Sequence, residues 1–209
     1  MSELARIRVL CVDDHPLFRE GIATVIAYQE DMQLVAMAAT AKAAIEEFRK
    51  HRPDVTLMDL RLPDMSGISA VASIRTAFPD ARIVMLTTFE GDVEIQRALA
   101  AGVCGYLLKS APLEELVNVI RKVHSGRKHL TSEVAENLAE HFGRESLTER
   151  EVGVLRCIAE GDRNRDIGER LLISEETVKV HVKRIMYKLG AKDRTQAVAI
   201  GIRRGIIHI

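Results

Sequence analysis

The chain has 209 residues, with 30 Lys and Arg against 30 Asp and Glu, and 47% of it is hydrophobic. That is the balance of an ordinary globular protein, not of a disordered tail. No stretch approaches the roughly 18 consecutive apolar residues of a membrane span, and the start, MSELARIRVLCVDD, lacks the charged, apolar and cleavage regions of a secretory signal in their order.

The first 125 residues alternate between short apolar runs and longer amphipathic ones. Strands are expected at Ile7–Val12, Gln33–Ala38, Val55–Asp59, Arg82–Thr87 and Cys104–Leu107, with helices at 15–28, 41–51, 66–77, 92–101 and 112–124. Pro53 precedes the third strand, Ser66 suits a helix cap, Pro79 closes a helix and Pro112 suits a first turn. Five near-continuous apolar strands alternating with five helices imply a doubly wound α/β domain, its five-stranded parallel sheet covered on both faces.

After Ser125-Gly126 the alternation stops. A linker over 125–145 with a helix at Thr131–Phe142 is expected, followed by a small all-α domain over 146–209. Thr148 and Glu151 have the spacing of a capping box and open a helix to Ala159. Helices at 164–171, 175–189 and 194–204 complete a four-helix bundle. The neutral total hides an asymmetry between the two parts. Residues 1–144 carry 17 Lys and Arg against 20 Asp and Glu, whereas residues 145–209 carry 13 against 10. Only the second part is therefore suited to a polyanion. Cys11, Cys104 and Cys157 lie in apolar segments without CxxC spacing, as buried thiols of a cytoplasmic protein would.

The chemistry of the first domain gathers at strand ends. Asp13 and Asp14 end strand one, Asp59 ends strand three, Thr87 ends strand four and Lys109 follows strand five. A strand-terminal Asp is commonly just a turn former. Ligands of open α/β sheets, however, bind outside the carboxyl ends of the strands, where all five residues fall. Three clustered carboxylates suit Mg²⁺, and a carboxylate beside such an ion can act as a nucleophile in phosphoryl transfer. Lys109 and the Thr87 hydroxyl are placed to meet phosphoryl oxygens. No GxxxxGK[ST] loop is present, so a nucleotide is not the expected phosphate donor. A phosphohydrolase with Asp59 as nucleophile would use the same cluster. It would want a second carboxylate at position 61, which is arginine.

The segments VLCVDDHPLFREGI, DVTLMDLRLPDMSGI, ARIVMLTTF and GYLLKS resemble, in order and spacing, the receiver domain of two-component response regulators over about residues 5–124. The resemblance implies that Asp59 is the phosphoacceptor. It implies that Asp14, Asp59 and the backbone carbonyl of Arg61 hold Mg²⁺, with Asp13 nearby. Lys109 then contacts the phosphoryl group, and Thr87 and Tyr106 form a switch pair. In many receivers proline follows the lysine directly, whereas here Ser110 and Ala111 intervene before Pro112. Arg61 and Phe89, two residues beyond the acceptor and the switch Thr, stand where the family tunes phosphate lifetime.

In the second domain, NRDIGERLLISEETVKVHVKRIMYKLG reads as helix, turn, helix. Val178, Val182, Ile185 and Leu189 make one apolar face, and Lys179, His181, Lys183, Arg184 and Lys188 carry the opposite one. Charges alone would equally describe a solvated face; the preceding helix and tight turn favour a recognition helix in a major groove. The stretch from Leu147 to Val198 resembles the LuxR-type DNA-binding domain of the NarL/FixJ response regulators. That resemblance implies DNA contacts at Lys179, Val180, His181 and Lys183, with Arg184 and Lys188 added from the charge pattern. Gly168 stands where the family usually has Ala, expected to cost only helix propensity, about 1 kcal/mol. The partners implied are a sensor histidine kinase, double-stranded promoter DNA, a second copy of the chain on phosphorylation, and RNA polymerase, with no membrane.

Overall fold

The computed structural model describes residues 6–88, 91–131, 134–136, 139 and 145–208. The chain forms two compact units, dividing in sequence near residue 135. The first alternates strand and helix: β1 (Ile7–Val12), α1 (Pro16–Ala27), β2 (Met32–Ala38), α2 (Ala41–His51), β3 (Val55–Asp59), α3 (Gly67–Ala77), β4 (Ile83–Thr87), α4 (Asp92–Ala100), β5 (Gly105–Leu108), α5 (Leu113–His124) and β6 (His129–Leu130). The sheet is parallel throughout, in the order β2-β1-β3-β4-β5-β6.

Apart from its first two residues, β1 is fully buried, and every residue of β3, β4 and β5 is buried. That is why these strands read as apolar runs without alternation: helices cover both faces. Val9, Leu57, Val84 and Leu107 join Ile22, Ile26, Leu116, Val119 and Ile120 of α1 and α5 in one core. The sheet has six strands rather than the expected five. The addition, β6, pairs Gly105 with His129 and Tyr106 with Leu130. Two residues are too few to leave a periodic signature, and they fall where a linker was expected.

Helix starts follow the capping chemistry of the sequence. Thr40 and Ser66 accept hydrogen bonds from Ala43 N and Ser69 N at the heads of α2 and α3. Asp64 adds a second clamp on α2, its two carboxylate oxygens accepting from Ala41 N at 2.8 Å and Lys42 N at 2.9 Å. These bonds tie the loop after Asp59 to a neighbouring helix. One glycine is required for close approach: a Cβ at Gly67 would lie 1.9 Å from the backbone oxygen of Asp59. The head of α3 thus seats directly on the strand end that carries that carboxylate.

The second unit contains α6 (Glu149–Ala159), α7 (Asn164–Leu171), α8 (Glu175–Leu189) and α9 (Arg194–Arg203). Thr148 and Glu151 form the expected capping box at the head of α6. Val154, Leu155, Ile158, Ile167, Val178, Ile185 and Leu189 pack in its core. Residues 134–136 are helical and Thr131 Oγ1 accepts from Val134 N at 3.3 Å, so the expected helix at 131–142 begins as read. Ala139 is helical too, and the remaining residues of that span lie outside the described residues.

Candidate functional site

The register of the parallel sheet aligns the chemistry. Val12 pairs with Met58, Asp59 with Leu86, and Thr87 with Leu108, so the residues after β1 and β5 flank the ends of β3 and β4. The strand order changes direction between β1 and β3, the switch point where open α/β sheets bind ligands. Asp13, Asp14 and Asp59 converge there. One ligand-capable atom from each, together with one from His15, lies within 4.8 Å of all the others. Lys109 Nζ completes the centre, 2.6 Å from Asp13 Oδ2 and 2.8 Å from Asp59 Oδ2.

Burial sets the electrostatics. Asp13 is wholly buried and Asp59 nearly so, while Asp14 and His15 face solvent. Burial pushes the Asp59 carboxyl above the ordinary aspartate range, and the Asp13 charge adds to this against the Lys109 hydrogen bond, which pulls it down. Burial works to lower Lys109, yet its bonds to Asp13 and Asp59 outweigh this and hold the ammonium above its ordinary range. The cation is therefore fixed between two carboxylates, with the Phe18 ring 4.9 Å away. Cys11 is pushed up to about 12, first by burial and then by Asp13, so its thiol stays protonated and inert.

Thr87 is buried at the end of β4, where its carbonyl accepts from Lys109 N at 2.7 Å. Tyr106 on β5 is fully buried, so its ring already occupies an inward position. Arg61 N approaches Asp59 Oδ1 at 3.4 Å. Phe89 lies outside the described residues.

In the second unit α7 and α8 are joined by a tight turn. Leu172 adopts left-handed backbone (φ 54°) while 92% exposed, and Ile173 N bonds back to Gly168 O at 2.9 Å. A Cβ at Gly168 would stand 2.8 Å from the Ile173 oxygen. Glycine here is thus not merely a propensity cost, as the sequence suggests. It admits the returning backbone at the turn. Ser174 caps α8, accepting from Thr177 N at 3.1 Å.

Lys179, Val180, Lys183 and Arg184 are exposed along α8, and Tyr187 joins them, 84% exposed. Lys179 is held by Glu176 at 2.8 Å and Glu175 at 3.3 Å on the first turn. Two residues expected on this face turn inward. His181 is partly buried with its Nδ1 atom shielded, alongside Arg184 and Lys188 in a cleft with Thr148 and Glu151. Lys188 Nζ lies 2.9 Å from Glu151 Oε2 and 3.1 Å from the Ser146 oxygen, its side chain 15% exposed. Lys188 therefore braces α6 against α8 instead of lying free on the outward face.

Residues 9–121 match the response regulator receiver domain, and residues 145–200 match the bacterial regulatory proteins of the luxR family. The chain is 42% identical to the uncharacterized transcriptional regulatory protein YxjL of Bacillus subtilis, over 97% of this chain and 98% of that one. Against the response regulator protein VraR of Staphylococcus epidermidis the identity is 38%, over 97% and 99%. The chain belongs to the response regulators.

Solved structures agree on the architecture of this regulator. The response regulator ChrA of a heme-sensing two-component system matches at TM-score 0.59 and 32% identity, over 98% of this chain and all of that one. The response regulator RcsB in complex with DNA matches at TM-score 0.72 and 25% identity, over 95% and 98%. With a receiver domain ahead of a LuxR-type helix-turn-helix, this response regulator is a phosphorylation-dependent, DNA-binding transcription regulator of a two-component system. Among the described residues no helix is long and apolar enough to cross a membrane.

Two residues beside the regulator's expected sites escape the sequence reading. His15 stands beside Asp14 Oδ1 at 2.6 Å, signalled only by its place directly after the Asp pair. Tyr187 lies one and two helical turns beyond Lys183 and Val180, a periodic signal that a search for charge passes over.

The Glu151–Lys188 pair carries a pH prediction. Burial works to raise Glu151, but hydrogen bonds from Thr148 N and Lys188 prevail and hold it below its ordinary value of 4.5. A depressed folded value contributes stability that is present above 4.5 and lost as pH falls through the lower folded value. Glu151→Gln should therefore be less stable than the parent at pH 6, with the gap closing as the pH falls below that ordinary value. Thermal unfolding of both full-length chains across that range checks this; a constant gap would contradict it.

Proposed function

We propose that Asp59 accepts the phosphoryl group and that the added charge raises the affinity of the helix-turn-helix unit for promoter DNA. The observation that carries this reading is the convergence of Asp13, Asp14, Asp59 and Lys109 at the switch point of the sheet. An Asp59 carboxylate oxygen attacks the phosphorus of a phosphohistidine on a sensor kinase. The P–N bond breaks, an acyl phosphate forms, and the imidazole leaves.

Three carboxylates against one ammonium leave a net negative centre, a donor set that fits a divalent cation. Asp14, Asp59 and the Arg61 carbonyl would hold Mg²⁺, with Asp13 close by, and the ion would offset phosphoryl and carboxylate charge together. Lys109 meets a phosphoryl oxygen, and Thr87, at the end of the adjacent strand, supplies a hydroxyl to another. The same centre supports self-catalysed phosphotransfer from small phosphodonors and slow hydrolysis of the acyl phosphate. Thr87 and the inward Tyr106 ring then form the switch pair, since Thr87 ends β4, the strand next to Asp59, and Tyr106 stands on β5, the strand beyond it.

The charge gained, about −1.5 to −2 by analogy with phosphoserine, favours a homodimer whose two helix-turn-helix units take adjacent half-sites. Lys179, Val180, Lys183 and Arg184 contact DNA from α8, and bound regulator acts on RNA polymerase. In chain order the receiver takes residues 1–124, a linker 125–145 and the DNA-binding domain 146–209. A cytoplasmic site of action is supported by the three free cysteines. Mass spectrometry after incubation with acetyl phosphate and Mg²⁺ should detect one added phosphoryl group on the parent chain and none on Asp59→Asn. Equal labelling of the two would overturn the assignment.

A further inference from the structure

His15 is held where a metal ligand would be needed, though the role of a receiver's cation site does not require it. It is the N-cap of α1, and Pro16 fixes the first turn behind it. Its backbone N donates to Asp13 Oδ1 at 2.9 Å, which turns the residue toward the acidic centre. Its Nδ1 atom then lies 2.6 Å from Asp14 Oδ1 and 3.2 Å from Asp13 Oδ1. The other carboxylate oxygens of Asp13 and Asp59 are taken by Lys109. Of the oxygens left over, Asp13 Oδ1 faces the imidazole, while Asp59 Oδ1 lies 3.4 Å from Arg61 N.

The spacing suits an ion. Nitrogen and oxygen ligands at about 2.0–2.1 Å around a tetrahedral centre stand about 3.3 Å apart. The atoms offered by Asp13, Asp14, His15 and Asp59 all lie within 4.8 Å of one another, and rotation of the exposed Asp14 and His15 side chains can bring the group to that geometry. The ring is 71% exposed at its outer side and can adjust without disturbing the core.

We propose that His15 supplies a nitrogen ligand at this centre and so tilts it from Mg²⁺ toward borderline transition ions, Zn²⁺ above all. The inference rests on the cation site of the preceding section. Oxygen donors alone suit Mg²⁺ and Mn²⁺, whereas an imidazole among carboxylates favours Zn²⁺. Zinc held by four protein ligands leaves no open position for a phosphoryl oxygen and ties down Asp59. Zinc occupancy therefore opposes phosphorylation.

Mn²⁺ bound to the full chain at pH 7.5 is followed by electron paramagnetic resonance while Mg²⁺ or Zn²⁺ is titrated in as competitor. Zn²⁺ is expected to release Mn²⁺ from the parent chain at far lower concentration than Mg²⁺ does. In His15→Ala the Zn²⁺ needed should rise about 10- to 100-fold, the scale of losing a supporting metal contact, with the Mg²⁺ curve moving less than about threefold. A Zn²⁺ curve that stays in place, or Zn²⁺ and Mg²⁺ curves that move together, would overturn the role of His15. Mn²⁺ binding that is absent from the parent chain, or that persists in Asp59→Asn with unchanged affinity, would overturn the underlying cation site as well.

Discussion

Lys109→Ala is expected to lower the unfolding midpoint of the chain by on the order of 10 °C and to slow phosphotransfer about a hundredfold. The ammonium stands between a wholly buried Asp13 and a nearly buried Asp59, 2.6 and 2.8 Å from their oxygens. Removing one partner of such a group leaves uncompensated buried charge, a loss of about 3–5 kcal/mol. The signature that separates this from a simple packing defect is ionic. Mg²⁺ brings two positive charges to the same carboxylates, so it should raise the midpoint of the variant more than that of the parent. Acid should also help the variant, because Asp59, already pushed up by burial, takes a proton first. Differential scanning calorimetry with and without Mg²⁺ measures both effects; equal Mg²⁺ shifts in the two chains would contradict the account.

Lys183→Ala and Lys188→Ala should part company although both remove a lysine from one helix. Lys183 is exposed on the outward face of α8, so its loss should weaken promoter binding about tenfold and reduce the slope of log affinity against log salt by about 0.9. Lys188 is inside, on Glu151 and the Ser146 carbonyl. Its loss should leave the salt slope unchanged and destabilise the helical unit by about 2–3 kcal/mol, at or below the cost of breaking a fully buried pair. A salt series of binding isotherms alongside urea unfolding distinguishes the two residues. A reduced slope for Lys188→Ala would return it to the DNA contacts.

These cases show where one-dimensional reading succeeds and where it stops. Buried parallel strands announce themselves as continuous apolar runs, and β1, β3 and β4 lie within a residue of where Ile7–Val12, Val55–Asp59 and Arg82–Thr87 suggest. The caps of Ser66 and Thr148 are local chemistry and read directly. The convergence of Asp13, Asp59 and Lys109 was legible because strand ends in a parallel sheet share one edge.

What failed depends on contacts far apart in sequence. Lys188 meets Glu151 across 37 positions, and no helical wheel of α8 contains that partner. Gly168 looks like a weak helix residue until the backbone of Ile173 is seen to return over it. β6 exists only through its pairing with β5.

The central claim is that phosphoryl occupancy of Asp59 controls DNA binding by α8. Its most direct measurement is fluorescence anisotropy of a labelled promoter fragment titrated with the full chain, with and without beryllofluoride and Mg²⁺, for the parent and for Asp59→Ala. The account predicts tighter binding of the parent only when the phosphoryl mimic is present, and no such gain in Asp59→Ala. Specific binding that is equally tight with and without the mimic would leave the helix-turn-helix unit intact and contradict control through Asp59.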